Sequence, residues 1–217
     1  MRKLFALAFV LLVATSARAQ LLGQLTDARV QDQGHSLLGG YVGIYSDDVL
    51  SFFGQWRYGL SKDIDAGAKL GFVDLNGGES GIGVAGDVRY QLLHQRLATT
   101  QQTGQPVDLS LGGGLEFYFG DVISIFSIQF NGMVSHRFAS ASGRGITPYG
   151  RAQIRFERVS VDFRPPFGDQ SDTDGEFGIN AGGEFEFAQQ LSAVGELQLD
   201  SSELADFGLI FGLNYRF

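Results

Sequence analysis

The sequence predicts an all-β chain that closes into an antiparallel up-and-down barrel of about ten strands, within a range of about 8–12. Three observations carry this. From residue 36 onward, apolar residues alternate with polar residues or glycine at a period of two, segment after segment. No amphipathic helical stretch intervenes, so neighbouring strands are joined by turns and run antiparallel. The composition also suits crowded pleated walls: 31 of 217 residues are glycine, 12% are aromatic and 18% are charged, against usual shares of roughly 7% glycine and 25% charged residues. Nineteen phenylalanines are too many for a disordered chain. The absence of cysteine excludes disulfides, thiolate metal sites, a cysteine nucleophile and a lipid-modified N-terminal cysteine.

Residues 1–19 read as a secretory signal peptide. Arg2 and Lys3 are followed by the apolar run Leu4 to Val13, then by Ala17-Arg18-Ala19 as a small-x-small cleavage site. The run falls short of the ~20 apolar residues of a membrane-spanning helix. Cleavage removes three of the 16 basic residues and none of the 24 acidic ones, which leaves 20–217 with a net charge of −11. Nucleic-acid binding requires a basic footprint, so it is not expected. Residues 20–35 have no clean period and are expected as a periplasmic N-terminal segment, either hanging free or entering the barrel. Residues 36–217 form the barrel.

The strands fall at 36–46, 51–61, 64–74, 80–92, 107–118, 123–137, 146–161, 174–187, 191–200 and 206–217. The last is the clearest: Phe207, Leu209, Phe211, Leu213, Tyr215 and Phe217 share one face, opposite Gly208, Ile210, Gly212, Asn214 and Arg216. In 64–73, Leu70 and Phe72 oppose Asp65 and Lys69. In 80–92, Val84 and Val88 oppose Asp87 and Arg89. In 174–187, Phe177 and Ile179 oppose Asn180 and Glu184. Strand 36–46 is ambiguous, because Tyr41 and Tyr45 oppose Val42 and Ile44. Strand 146–161 loses its alternation after Phe156.

Two closed sheets fit this pattern. A secreted soluble barrel turns its apolar face inward; a transmembrane barrel turns it to lipid and fills its lumen with the polar face. The apolar faces carry aromatics at their ends, among them Phe52, Trp56, Tyr58, Tyr90, Phe117, Phe185, Phe187, Tyr215 and Phe217, as interfacial girdles do. Glycine on the polar faces suits a crowded lumen. Both features favour the transmembrane arrangement.

The final strand, FGLIFGLNYRF, resembles the insertion signal of bacterial outer-membrane β-barrel proteins, a porin-like group, with Leu209, Phe211, Leu213, Tyr215 and Phe217 at the alternate apolar positions. The hairpin WRYGLSKDIDAGAKLGF (56–72) is similar to the tight periplasmic turns of that group. The resemblance implies residence in the outer membrane of a Gram-negative cell envelope. It also implies contact with membrane lipids and lipopolysaccharide, and insertion by the barrel-assembly machinery. Some barrels of this group are hydrolases or proteases with a histidine near the external rim. Here His35, His94 and His136 all fall toward the periplasm, and Ser135 and His136, being adjacent, point to opposite faces. Neither catalysis nor a cofactor is expected.

With both termini periplasmic, the external connections are acidic: Asp47, Asp48, Asp74, Glu79, Asp121, Asp162, Asp169, Asp172, Asp174, Glu176, Asp200, Glu203 and Asp206 accompany only Arg164. The periplasmic connections hold Lys62, Asp63, His94, Arg96, Arg137 and Arg144. Such a rim concentrates divalent cations near anionic head groups. Within it, Asp169, Asp172, Asp174 and Glu176 are the weak candidates for a calcium site, but Phe177 and Gly183 occupy the positions where an EF-hand needs its turn glycine and closing glutamate, so no metal is expected.

The inward faces should carry a network of Arg57, Lys69, Asp87, Arg89, Asp108, Glu116, Arg151, Arg155, Glu157, Glu184, Glu186, Glu196 and Arg216. Buried charges must pair or stay hydrated, and a ten-stranded lumen is only a little wider than the ~8-strand size that side chains fill. The expected function is a structural or small passive barrel with a charged, largely filled lumen. The alternatives are a narrow channel for small solutes or cations, and a surface adhesin or binding module using 162–173.

Overall fold

A computed structural model describes residues 22–23, 25–75, 79–95, 106–139, 144–161, 170–200 and 207–217. The signal-peptide reading at 1–19 lies outside them, as do Arg96, Asp162, Arg164, Asp169, Glu203 and Asp206. Ten long strands run antiparallel in chain order: β1 (Ser36–Tyr45), β2 (Leu50–Gly59), β3 (Ile64–Leu75), β4 (Glu79–Leu93), β5 (Asp108–Gly120), β6 (Ile123–Ser135), β8 (Gly145–Val161), β9 (Gln170–Glu186), β10 (Leu191–Asp200) and β11 (Phe207–Arg216). A two-residue strand, β7 (Phe138–Ala139), pairs with the start of β8. The sheet closes where β1 pairs with β11, Gly39 opposite Asn214. Ser36 and Phe217 exchange two backbone hydrogen bonds (2.7 and 2.9 Å) at the end of this seam.

The faces follow the alternation in the sequence. Leu38, Phe52, Leu70, Val88, Leu115, Ile154, Ile179 and Leu213 are exposed on the outside, whereas Arg57, Asp65, Lys69, Asp87, Arg89, Arg151 and Glu196 are buried within. This inversion of the ordinary globular pattern is stable only with hydrocarbon against the outer surface. Strand β1 resolves its ambiguity by the same logic: Tyr41 and Tyr45 turn in, Val42 and Ile44 turn out. Both inward rings lie flat against strand β11. A Cβ on Gly212 would sit 2.2 Å from the Tyr41 ring, and one on Gly208 would sit 2.6 Å from the Tyr45 ring. The glycine of the inward face is thus the space its tyrosines occupy.

The seven tyrosines form two groups. Tyr41, Tyr45, Tyr118 and Tyr149 are buried in the lumen, while Tyr58, Tyr90 and Tyr215 are exposed beside Trp56 at the end that bears the C-terminus. The opposite end of the outer belt carries Phe52, Phe72, Phe117, Phe119 and Phe207. Aromatics with a polar tip suit a head-group interface.

Most strand ends lie within two residues of expectation and the start of β9 lies four away; two of the shifts are informative. The expected strand 123–137 stops at Ser135. His136 N–H still donates to the Pro148 carbonyl (3.2 Å), but its ring bonds to the Pro106 carbonyl and Arg137 turns to Glu186, and the strand ends there. Strand β9 starts at Gln170, because Gln170–Thr173 pair with Arg158–Val161 of β8. The broken alternation after Phe156 has the same origin. Val159 and Val161 face in, and Arg158 faces out to Ser171 (3.3 Å). At this height the outer face has changed from apolar to polar, so the apolar residues move to the inside. There Tyr45, Val49, Phe53, Val73, Leu75, Tyr118, Ile123, Ile125, Val159 and Val161 belong to one buried cluster.

Candidate functional site in the barrel lumen

The block before β1, expected as a periplasmic segment, is folded up into the barrel. Leu22, Leu25, Thr26, Asp27, Ala28, Val30 and Gln31 are buried, and Leu22, Leu25, Thr26 and Ala28 are wholly so. The segment leaves through a tight turn in which His35 N–H donates to the Asp32 carbonyl (2.9 Å). Gly34 at its third position has φ 81°, the left-handed value that a type II turn demands. Gly34 N–H then donates to Gly59 O (3.0 Å), and Gln33 bridges to Gly59, which ties the exit to the end of β2.

The described part of this segment forms no helix or strand ladder inside the lumen, so its buried N–H and C=O groups need other partners. The wall supplies them. Leu22 N–H donates to Glu116 (3.3 Å), and Lys69 Nζ donates to the Leu22 carbonyl (3.4 Å). Asn214 Nδ2 donates to the Leu25 carbonyl (3.3 Å). Ala28 N–H donates to Ser135 Oγ (3.1 Å), Val30 N–H to Gln91 Oε1 (3.0 Å) and Gln31 N–H to Asp65 Oδ2 (3.0 Å). Arg89 spans the segment, donating to Thr26 Oγ1 and Asp27 O (both 2.7 Å) and to Arg29 O (3.2 Å). The apolar side chains find pockets cut by glycine: a Cβ on Gly71 or Gly83 would fall 2.9 Å from the Leu22 side chain.

Behind these contacts the charges pair in three groups. On β2–β4, Arg57 contacts Asp65 (2.6 Å) and Asp87 (2.7 Å), Arg89 contacts Asp65 (2.5 Å) and Lys69 contacts Asp87 (3.5 Å). On β8–β10, Arg151 meets Glu196 (2.6 Å), which also accepts from Asn180 (2.7 Å) and Gln198 (2.9 Å), while Arg155 meets Glu176 and Glu157 (3.4 Å). At the terminus-bearing end, Arg216 pairs with Glu184 (2.5 Å), which accepts from Ser192, and Arg137 pairs with Glu186 (2.6 Å). Asp108 accepts from Gln91 (2.6 Å) and Gln95 N–H (2.8 Å).

All the residues expected in the charge network therefore lie on the lumen side, with Glu186 and Arg216 less deeply buried than the rest. Sequence reasoning omitted three members from that set. Asp65 sits at the junction of Arg57, Arg89 and the segment; it is in phase with Lys69, and that phase was the available signal. Glu176 reads from the sequence as part of the acidic rim, and Asn214 is uncharged. The calcium candidates are not brought together: Asp172 and Asp174 are exposed, whereas Glu176 is buried against Arg155. Among the described residues no group of three potential ligands could hold a metal ion. Glu79, also placed on the acidic rim, accepts from Val122 and Ile123 N–H (2.9 and 3.2 Å) and so braces the β5–β6 turn.

The histidines lie at the terminus-bearing end. His35 contacts the Gln33 carbonyl, His94 contacts Asp63 (2.8 Å), and His136 contacts Gln95 and the Pro106 carbonyl. The Asp63 carboxyl is held below the usual carboxylate range, first by the hydrogen bond from His94, which outweighs the opposing effect of desolvation, with the charge of Lys62 adding to it. Ser135 faces the lumen and bonds to Ala28, apart from His136.

In architecture the chain is an outer-membrane-type β-barrel. It is similar to the N-terminal β-barrel domain of Pseudomonas aeruginosa OprF at 15% identity, covering 86% of this chain and 100% of that one with a TM-score of 0.43. A bacterial polysaccharide outer membrane secretin matches at 12% identity, with 84% and 65% covered and a TM-score of 0.46. Ail, the attachment invasion locus protein of Yersinia pestis, matches at 14% identity, with 85% and 99% covered and a TM-score of 0.34. No family model and no curated protein matches the chain.

Proposed function

We propose that the protein is an integral outer-membrane barrel of structural kind, closed at rest by its own N-terminal segment. The observation that carries this is the lumen itself. Arg57, Arg89, Leu22, Leu25 and Thr26 have 0% exposure, so no water-sized gap reaches them across the middle of the barrel. Ion conduction needs a continuous wet path. The apolar outer belt supports insertion in a bilayer, and the reading of 1–19 as a signal peptide supports export. The alternate apolar residues Leu209 to Phe217 support recognition by the assembly machinery. Asp48, Asp74 and Asp121 on the opposite rim are suited to divalent cations bridging to lipopolysaccharide.

The test is planar-bilayer recording of the refolded mature chain. No discrete conductance steps are expected at any voltage, and frequent steps would refute closure. A second reading, a narrow channel opened by release of the segment, is favoured by the way the segment is held. Its lumen contacts are to wall side chains and not to a strand ladder. Deletion of residues 20–31 should then produce conductance where the full chain has none.

A further inference from the structure

We infer that the terminus-bearing mouth of the barrel is a binding site for a small soluble molecule carrying a phosphate group. A cavity of about 510 Å³ lies there, lined by Arg29, Arg137, Arg144, Arg216 and Glu186, with the β9–β10 turn as its floor. That volume is within the range of roughly 300–1,000 Å³ typical of small-molecule sites. Its lining carries four guanidinium groups and one carboxylate, Glu186, with Glu184 a second acid behind Arg216.

The four arginines divide into two pairs. Arg137 is gripped by Glu186 through two hydrogen bonds (2.9 and 2.6 Å), and Arg216 by Glu184 (2.5 Å). These two are held in position by acids on strand β9. Arg29 and Arg144 have no side-chain partner among the described residues, and both are exposed to the cavity. The mouth therefore combines two fixed cations with two open ones. Two further acids, Asp27 and Asp108, line the adjoining cavity of about 140 Å³ with Arg29, His94 and Arg137.

The chemistry selects the ligand class. All four cations are arginine, whose planar fork engages two oxygens of a phosphate at once. A phosphate offers three terminal oxygens, enough for Arg29 and Arg144 together with one of the fixed pair. Arg29, Arg144, Ala188 and Gln189 of its lining are exposed, so the cavity opens to water at the barrel mouth and a soluble phosphate ester reaches it directly. Binding has a mechanical consequence, because Arg29 belongs to the lumen segment and the other three belong to the wall. A ligand bridging them fastens the segment in place and stabilises the folded barrel by linkage. This consequence rests on the closed-barrel reading; the binding itself does not.

The experiment is calorimetric titration of the refolded full chain, in a zwitterionic detergent at low salt, with ribose 5-phosphate and with inorganic phosphate. Saturable binding of ribose 5-phosphate is expected, weakening as salt is raised. Arg29→Gln and Arg144→Gln should each lower affinity about tenfold, the scale of one lost charge-assisted contact. Lys62→Gln, in a turn outside the cavity, should leave it unchanged. Both arginines lack structural partners, so circular dichroism and the heat-shift on a gel should match wild type. The absence of saturable binding, or equal binding by Arg29→Gln, Arg144→Gln and wild type, would overturn the inference. Nanodiscs containing phosphatidylglycerol form the other arm. If Arg29→Gln weakens only lipid retention and not ribose 5-phosphate binding, the ligand is a head group and the assignment to a soluble phosphate fails. Conductance of the full chain with binding intact would remove the closed-barrel reading and leave the site standing.

Discussion

Replacing Asp65 by asparagine should cost the barrel about 3–5 kcal/mol, the range for removing one partner from a buried ion pair. The carboxylate accepts from Arg57 Nη2 (2.6 Å) and Nε (3.4 Å), from Arg89 Nη2 (2.5 Å) and Nε (3.0 Å), and from Gln31 N–H (3.0 Å). The consequences are unequal for the two arginines. Arg57 keeps Asp87 at 2.7 Å. Arg89 is left with the neutral oxygens of Thr26, Asp27 and Arg29, so one buried guanidinium loses its counter-charge. The loss corresponds to roughly two to four powers of ten in the folding equilibrium constant. The assay is equilibrium unfolding in denaturant from detergent micelles, followed by the emission of Trp56, the single tryptophan, which faces outward. Asp65→Asn/Arg89→Gln should be more stable than Asp65→Asn alone, because glutamine can still donate to the segment while the stranded charge is gone. If Asp65→Asn unfolds within about 1 kcal/mol of wild type, or if the second substitution brings no recovery, then Asp65 does not anchor the network.

Three further outcomes are expected. Leu213→Arg, at a position 52% exposed on the outer face, should destabilise the folded barrel in bilayers by about 2–4 kcal/mol if it lies near the midplane; a neutral result in vesicle unfolding would mean that this face does not meet lipid. Removing Phe217 takes away both hydrogen bonds to Ser36, so cell fractionation should show less protein in the outer membrane and more in the periplasm. The Asp63 carboxyl is depressed in the folded state, so its contribution is present above the ordinary carboxylate value near 3.9 and is lost as pH falls through the lower folded value. His94→Gln should bring that carboxyl's titration back toward the ordinary value in an NMR pH series, and an unchanged midpoint would discount the His94 bond.

The fold was legible because a strand has one dominant signal. Phe207 to Phe217 alternate with one exception, the inward Ile210, and the structure turns each residue as the period requires. The signal failed where two classes of side chain competed for one face. Tyr41 and Val42 are both acceptable to lipid, and what decides between them is the groove left by Gly212 on the neighbouring strand, which a single strand's pattern does not contain. It failed again above Phe156, where the outer solvent changes and the polarity of the pattern reverses with it. The lumen segment was illegible for a different reason. An irregular backbone has no period, so residues 22–31 carry none. Its trace in the sequence is indirect: Leu22, Leu25, Ala28 and Val30 are apolar residues in a stretch with no strand to bury them. The wall also has polar groups, such as Ser135 and Asn214, that are not bonded to a wall charge.

The uncharged member, Asn214, shows how the segment and the barrel closure depend on one another. It lies on β11, opposite Gly39 of β1, at the seam where the sheet closes. Its amide donates to the Leu25 carbonyl (3.3 Å), and its oxygen accepts from the Tyr41 hydroxyl, which itself lies 3.4 Å from the same carbonyl. One residue from each seam strand thus converges on one carbonyl of the segment, so docking the segment holds the seam together from inside. Asn214→Leu removes two hydrogen bonds from groups with no access to water. An unsatisfied buried polar group costs about 1–3 kcal/mol, but the Tyr41 hydroxyl can turn to the Leu25 carbonyl and satisfy both, so the loss belongs at about 1–2 kcal/mol. The temperature at which the compact form converts to the unfolded form on a gel should fall accordingly. In a variant lacking residues 20–31 the same substitution should cost less, since the carbonyl it serves is gone. An equal cost with and without the segment would show that Asn214 stabilises the seam alone and that closure does not depend on the occupant of the lumen.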